Sequence, residues 1–459
     1  MIFRVIQLHS VLSKKYRTFS TRPVTSIFNR EGFIKEVFPS DARPQIEELI
    51  NASPQHIYAG FDPTADSLHV GNLLVIIGLL HFQRAGHHPI ALVGGATGQI
   101  GDPSGKSNER NALAPEELKH NLSCIRKQLH NIFENHRKYL WNKQGKLNPV
   151  KIVDNADWYA NLSFIDFIGT IGRNFRMGQM MRLTSVQERL ESEEGISFTE
   201  FSYQICQSYD WWQLYKKHNC RLQLGGSDQL GNISAGHRLI KRMGNEKSAY
   251  GITLPILTTR DGKKFGKSEG NAVWLDAEKT SPFSLYQFFI RTPDDTVEHL
   301  LKMLSLYSFD EIHEIMTEQN KALHLKFAPR KLAEQMCLLI HGESGLKTAK
   351  QASAALYDGD FTVLSSLSQK EMKSIFVGAT VHDVILEQGM TVLDLALKAK
   401  IYKHEREATR LITQGGFYIN QNRCKNISEM ISPTVHILAN NFTLLRTGSR
   451  NFYLINWKL

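Results

Sequence analysis

The chain has 459 residues, too many for one hydrophobic core, so two or three domains are expected. Its apolar content of 42% and charged content of 22% exclude a disordered chain, and no run of about 18 apolar residues marks a membrane span. The net charge of +10 sits at the two ends: residues 1–30 hold six basic residues and no acid, residues 385–459 hold ten basic and five acidic, and the rest is close to neutral.

Residues 1 to about 25 are basic, hydroxyl-rich and acid-free, with Ile2, Phe3, Val5, Ile6 and Leu8 among them, which is the composition of a mitochondrial transit peptide. Five cysteines (Cys124, Cys206, Cys220, Cys337, Cys424) are scattered with no Cys-x-x-Cys pair, which speaks against a disulfide framework or zinc site and fits a reducing compartment.

Ile57–Phe61 is a short apolar run that breaks at Asp62-Pro63. Leu73–Phe82 is too continuously apolar for a surface helix, and Ile90–Val93 follows as a second buried strand. The pattern predicts a β-α-β unit with a parallel crossover, whose strand-to-helix turn presents free N–H groups to phosphate. The next loop, Gly94 to Ser107, fails as a P-loop because Ile100 stands where that motif requires glycine.

Helical patterns follow over Pro115–Phe133, Ser163–Met181 and Thr184–Glu191, with Val150–Val153 as a strand. Met177, Met180, Met181 and Leu183 suit either an interface or an internal core. Ser197-Phe198-Thr199-Glu200 is a capping box opening a helix to about His218. On that helix Tyr203, Gln207 and Asp210 share one face, and spacing alone favours a polar exterior. Leu222–Leu224 and Gly251–Thr258 read as strands, separated by Gly225-Gly226-Ser227-Asp228-Gln229 and a helix. A lysine-rich loop ends in Lys264-Phe265-Gly266-Lys267-Ser268. Helices are expected over Asp294–Leu306, Phe309–His324, Ala328–His341 and Leu346–Tyr357. After Thr380 come Thr391–Leu397, Glu407–Ile412 and the turn Gln414-Gly415-Gly416, among basic residues suited to phosphate.

Thr64 to Asn72, ending His-Val-Gly-Asn, resembles the His-Ile-Gly-His signature of class I aminoacyl-tRNA synthetases, and Lys264–Ser268 resembles their second signature. The Tyr-x-Gly-Phe-Asp-Pro-Thr form, the Gly94–Lys106 loop and the Tyr203/Gln207/Asp210 helix are similar to the tyrosyl branch, of mitochondrial and bacterial type. The resemblance covers nearly everything after residue 25. It implies an α/β fold: a Rossmann-like catalytic domain over 30–292 with an insertion over about 112–195, a helical domain over 293–376, and a small α+β domain over 385–459 like the RNA-binding fold of ribosomal protein S4.

The implied reaction joins tyrosine to ATP as tyrosyl-adenylate, releasing pyrophosphate, then transfers the tyrosyl group to the 3′ end of tRNA(Tyr). The attacking carboxylate is already ionised, so catalysis rests on positioning and on neutralising phosphate charge. By resemblance Thr64, His69, Asn72, Lys264, Lys267 and Ser268 are catalytic, with Lys106 and Arg110 assisting. The same resemblance assigns Gly60, Asp62, Asp228, Leu257 and Lys267 to ATP. It implies that Tyr58 and Asp210 meet the phenol hydroxyl, that Asp102, Tyr203 and Gln207 cradle the ammonium, and that Gln229 lies near the carboxylate. Lys398, Lys403, Arg406, Arg410 and Arg423 are the expected tRNA contacts. Asn72 departs from the signature's usual second histidine but still offers an N–H donor. Mg²⁺ accompanies ATP, no tightly bound cofactor is expected, and the family resemblance implies a homodimer in the mitochondrial matrix. A tryptophanyl enzyme or an RNA-binding protein with a decayed site are the competing readings; Asp210 with Tyr58 favours a phenol, and the retained Asp62, His69, Lys264 and Lys267 argue against decay.

Overall fold

A computed structural model of the chain describes residues 25–105, 113–141, 145–244, 247–258, 265–268, 271–354, 372, 380–420, 422–448 and 451–458. The basic segment 1–24, Lys106, Arg110 and Lys264 lie outside the described residues, and Lys267 and Ser268 are described by backbone alone. The described residues fall into two compact units, those within 1–67, 71–265 and 302–306 in one, and those within 68–70, 266–301 and 307–459 in the other.

The first unit is built on a six-stranded sheet. Its strands are β1 (Glu36–Phe38), β2 (His56–Phe61), β3 (His88–Val93), β4 (Lys151–Asp154), β5 (Cys220–Gly226) and β6 (Tyr250–Leu254), in the order β1-β6-β5-β2-β3-β4. All neighbours are parallel except β1, which runs antiparallel to β6. A parallel sheet has to be covered on both faces, which explains why β2 and β3 are apolar along nearly their whole length. Helices α1 (Arg43–Ala52), α2 (Leu73–Arg84), α3 (Pro115–Asn135), α4 (Phe198–His218) and α5 (Leu230–Arg242) belong to this unit. Helix α2 buries nine of its twelve residues and packs on β2, β3 and β5. A Cβ at Gly78 would stand 2.6 Å from the Leu224 side chain, so glycine lets α2 approach β5 closely. On the other face Tyr58, Ile90 and Leu92 share a core with Trp211 and Leu214 of α4 and Ile233 of α5. Each such aliphatic or aromatic side chain contributes about 1.5–3 kcal/mol by leaving water.

The predicted helix over Ser163–Met181 is corrected. It is a broken series: Phe164–Asp166, a wide turn over Phe167–Ile171, a tight turn over Gly172–Asn174, then Met177–Met180. Phe175 and Arg176 between them are extended, so no single apolar face forms. Met180 is buried and Leu183 packs against the core, whereas Met177 and Met181 are exposed. The expected strand over Gly251–Thr258 stops at Leu254, before Pro255, which has no N–H for the ladder. Ser197 caps α4 as expected, accepting from the Glu200 N–H at 3.2 Å. The Glu200 carboxylate is drawn instead into a fully buried ion pair with Arg189 at 2.8 Å.

In the second unit α6 (Pro282–Ile290) packs on α8 (Phe327–Ser353), and α7 (Phe309–Lys321) opens with a complete capping box from Ser308 and Glu311. The two helices expected over 328–357 run end to end through Gly342, whose φ of 69° lies in the left-handed region. The helix expected over Asp294–Leu306 is Val297–Leu304. A short β7 (Lys267–Ser268) pairs antiparallel with β8 (Asn271–Ala272). The C-terminal sheet joins β9 (Thr380–Ile385), β10 (Phe417–Ile419), β11 (Asn422–Cys424), β12 (Phe442–Thr447) and β13 (Asn451–Lys458) in the order β11-β10-β12-β13-β9. Helices α9 (Val392–Lys398) and α10 (Glu405–Thr413) share its core through Leu395, Ala408, Ile412, Phe417 and Trp457. Among the described residues no helix is long and apolar enough to cross a membrane.

Candidate active site

In the first unit β2 has β3 on one side and β5 on the other, so the chain reverses its winding between β2 and β5. In such sheets ligands bind in the crevice outside the carboxyl ends of the strands at that reversal. Gly60 and Asp62 stand at that end of β2, and Gly226, Asp228 and Gln229 at the end of β5. Gly60 is exposed, and a Cβ built on it would meet nothing within 4 Å, which leaves room for a ligand against the backbone.

Asp62 is the first charged group of this crevice. Its Oδ2 accepts the Tyr203 hydroxyl at 2.7 Å and its Oδ1 the Thr97 hydroxyl at 2.7 Å. A Cβ at Gly94 would fall 2.0 Å from the same Oδ1, so glycine at the end of β3 is what lets the carboxylate turn inward. Thr97 in turn accepts from Asn155 Nδ2 at 2.8 Å, and the same amide donates to Asp210 Oδ2 at 3.0 Å. Asp62 and Asp210 are thereby joined by two neutral side chains.

Asp210 lies in the middle of α4 and is 2% exposed, which corrects the exterior position that its spacing alone favoured. Its Oδ1 accepts Trp158 Nε1 at 2.8 Å and lies 3.1 Å from the Tyr159 hydroxyl. Burial, opposed by these hydrogen bonds, lifts its carboxyl to about 7. The Tyr58 hydroxyl, 1% exposed on β2, has no hydrogen-bond partner among the described residues, and its ionisation is pushed up by burial and by the neighbouring Asp210. A buried hydroxyl without a partner costs about 1–3 kcal/mol. Beside a carboxylate whose Oδ2 receives a single donor, it forms a pair that a hydroxyl-bearing ligand would complete, accepting from one and donating to the other.

Asp102 supplies a second polar end. Its carboxylate accepts Gln229 Nε2 at 2.7 Å, Asn232 Nδ2 at 3.4 Å and the Ser104 N–H at 2.9 Å. The buried Tyr203 hydroxyl is held neutral by burial and then by Asp62 and Asp102, so negative charge gathers on this side. Gln207 is half-buried on α4, and Asp228 is exposed with its carboxylate 3.4 Å from Gln229 Nε2.

The remaining predicted residues are less tightly held. Thr64 is exposed and its N–H donates to the Asp62 carbonyl. Asn72 is the N-cap of α2 but makes no side-chain capping bond. Leu257 is buried, its carbonyl accepting the Phe265 N–H at 2.8 Å. In the second unit His69 forms a backbone bridge with Trp274, the rings meeting edge-on at 6.2 Å. Lys403, Arg406 and Arg410 are exposed, the last two one helical turn apart on α10. Lys398 is paired with Glu387 at 2.5 Å. Arg423 donates to the Gly415 and Gln414 carbonyls, closing the end of α10.

Sequence reasoning missed Thr97, Asn155, Trp158, Tyr159 and Asn232. For three of them a signal existed: Asn155, Trp158 and Tyr159 follow directly on a predicted strand at i, i+3 and i+4, a spacing that puts polar and aromatic donors on one face of a helical turn.

Residues 51–358 match the family described as tRNA synthetases class I (W and Y), and residues 371–455 match the C-terminal domain described as Tyrosine--tRNA ligase SYY-like. The chain is 52% identical to the mitochondrial tyrosine–tRNA ligase of Drosophila melanogaster, covering 98% of each chain. It is 43% identical to that of Homo sapiens, over 93% of this chain and 90% of the other. The crystal structure of a C-terminally truncated mitochondrial tyrosyl-tRNA synthetase from Aspergillus nidulans superposes with a TM-score of 0.66 at 32% identity, over 75% of this chain and 96% of that one. With a family model over most of the chain and whole-chain relatives of this kind, the chain belongs to the class I tRNA synthetases of the tryptophanyl and tyrosyl family, as a tyrosine–tRNA ligase that uses ATP.

Proposed function

We propose that this ligase charges tRNA(Tyr) for translation in the mitochondrial matrix, with tyrosine bound between Tyr58 and Asp210 at one end and Asp102 at the other. The observation that carries the reading is the fully buried Asp210, held by neutral donors beside a Tyr58 hydroxyl that has no partner among the described residues. The substrate phenol donates to Asp210 and accepts from Tyr58. Phenylalanine would leave the Tyr58 hydroxyl unpaired and Asp210 Oδ2 with its single donor from Asn155, which is how such a site rejects it. The substrate ammonium lies towards Asp102, with Tyr203 and Gln207 beside it and Gln229 near the carboxylate.

In the first step the tyrosine carboxylate attacks the α-phosphorus of ATP and pyrophosphate leaves. Gly60, Asp62, Asp228 and the Leu257 backbone are proposed to hold the nucleotide. Thr64, His69 and Asn72 are proposed to contact the phosphates as hydrogen-bond donors, and Lys264, Lys267 and Ser268 to close on the departing pyrophosphate, the two lysines supplying the charge. Mg²⁺ enters with ATP, whose phosphate oxygens are its natural ligands.

Residues 1–25 are proposed as the import signal, 30–292 as the catalytic domain, 293–376 as a helical domain and 385–459 as an RNA-binding domain. Lys403, Arg406 and Arg410 are the best-placed phosphate contacts there, since Lys398 and Arg423 already serve Glu387 and the end of α10. An exposed apolar set in the first unit, Phe164, Ile165, Met177 and Phe198, supports a homodimer. The deciding experiment is ATP–pyrophosphate exchange with each amino acid: tyrosine alone should support it, and exchange driven by tryptophan instead would refute the substrate assignment.

A further inference from the structure

Asp210 is held by one helical turn. After β4 the chain forms a single turn, Ala156–Tyr159, started by the Asp154 carboxylate accepting the Ala156 N–H at 3.0 Å. Asn155, Trp158 and Tyr159 stand at i, i+3 and i+4 of that turn, and all three reach the same carboxylate on α4. Trp158 N–H and the Asn155 amide can only donate here, because the Asn155 oxygen already accepts the Ala96 N–H at 2.7 Å. Tyr159 differs. Its hydroxyl has one proton and lies between two acceptors, the Cys206 carbonyl at 3.0 Å and Asp210 Oδ1 at 3.1 Å.

One proton cannot serve both acceptors in full. Cys206 precedes Asp210 by four residues in α4, so its carbonyl also receives a helical N–H and can spare the Tyr159 proton. When Asp210 is ionised, the Tyr159 proton turns to Oδ1. When Asp210 is protonated, the Tyr159 proton turns to the Cys206 carbonyl and its oxygen is free to accept. The hydroxyl is therefore a two-way partner that satisfies Oδ1 in either state. The ring is fixed by edge contacts with Tyr209 at 5.5 Å and by Phe167 at 6.3 Å.

We propose that Tyr159 is a positioning residue for amino-acid selection, its hydroxyl fixing the Oδ1 edge of Asp210 so that Oδ2 is presented to the substrate phenol. This rests on reading Asp210 as the acceptor of that phenol. The ionisable groups around Asp210 are Tyr58 and Asp62 from β2 and its end, Tyr159 from the turn, and Tyr203, Cys206 and Tyr209 from α4. Among the described residues none of them is a cation, so the ionised form depends on neutral donors alone. Removing one of three donors has a correspondingly large effect. Because the hydroxyl serves both states, the titration moves by the difference between its bond to the charged and to the neutral carboxyl, which corresponds to a shift of roughly one pH unit.

The test is Tyr159→Phe, which deletes one oxygen and keeps the ring, measured beside Asp210→Asn. Tyrosine-dependent and phenylalanine-dependent exchange are followed from pH 5.5 to 8.5, with thermal melts of each protein. For Tyr159→Phe the discrimination against phenylalanine at pH 7 should fall about tenfold. The pH midpoint of the tyrosine KM should move up by about one unit, while kcat at saturating tyrosine stays within about twofold. Unchanged discrimination and midpoint, with selection lost in Asp210→Asn, would overturn the role of Tyr159 and leave the site reading intact. A uniform fall in kcat, ATP affinity and melting temperature without a change in discrimination would also overturn it. Selection unaffected in Asp210→Asn would remove the site reading, and this proposal with it.

Discussion

Tyr58→Phe should make the protein more stable and less selective. The Tyr58 hydroxyl is buried on β2 without a hydrogen-bond partner among the described residues, so the unliganded fold carries its desolvation cost of about 1–3 kcal/mol. Phenylalanine keeps the ring that packs 6.1 Å from Trp211 and removes the oxygen. For a unit of this size each kcal/mol gained raises the melting temperature by about 2–4 °C. In the proposed tyrosine complex the same oxygen would donate to the substrate phenol, and losing one neutral hydrogen bond of about 0.5–1.5 kcal/mol would weaken binding roughly 2- to 10-fold. The two effects have opposite signs, which separates this residue from an ordinary core tyrosine. Differential scanning calorimetry without substrate and equilibrium binding of tyrosine, on the same sample, measure them. A lower melting temperature together with unchanged tyrosine affinity would refute the reasoning.

Lys267→Ala should lower the exchange rate about 10²- to 10³-fold while tyrosine affinity stays nearly constant, since the ammonium acts where charge develops; pre-steady-state adenylate formation measures this. His136 and His87 are buried, and burial holds them at about 3 and about 4, below their unfolded value of about 6.5. The unfolded chain therefore binds more protons as pH falls below 6.5, and each site withdraws about 2 kcal/mol of stability by pH 5. Asp210, raised to about 7, works in the opposite sense, so the readout is a difference: in His136→Gln the loss of unfolding free energy between pH 7 and pH 5 should shrink by about 2 kcal/mol. Arg189→Met should cost about 3–5 kcal/mol by stranding the buried Glu200, and the double change Arg189→Met with Glu200→Leu should recover most of it in denaturant titrations. A chain ending before Thr380 should keep tyrosine-dependent exchange but show a raised tRNA KM and a flatter salt dependence of charging. It should also melt earlier, because Phe442, Leu444 and Leu454 share a core with Ala352 and Phe283.

The elements that depend on local pattern were legible in the chain. A continuous apolar run as long as Leu73–Phe82 reads as a buried helix, and the shorter runs Ile57–Phe61 and Ile90–Val93 on either side of it read as covered strands, so length and hydrophobic burial together predict the β-α-β unit. Ser197 before Phe198 starts a helix because a hydroxyl satisfies an N–H that the helix itself leaves open. What lay beyond local pattern was which of several acceptable partners each polar group takes. Glu200 fits a capping box, yet it is held by Arg189 because two buried charges must pair. Arg423 has the charge of a phosphate contact, yet its guanidinium closes the end of α10, since the carbonyls of Gln414 and Gly415 are within its reach. Asp210 reads as a surface residue by spacing alone, and the fold buries it because Asn155, Trp158 and Tyr159, more than fifty residues earlier, arrive as donors from the end of the neighbouring strand's loop. Burial by apolar pattern is a property of neighbours in sequence, whereas the satisfaction of a buried charge is a property of neighbours in space, and only the tertiary structure decides the second.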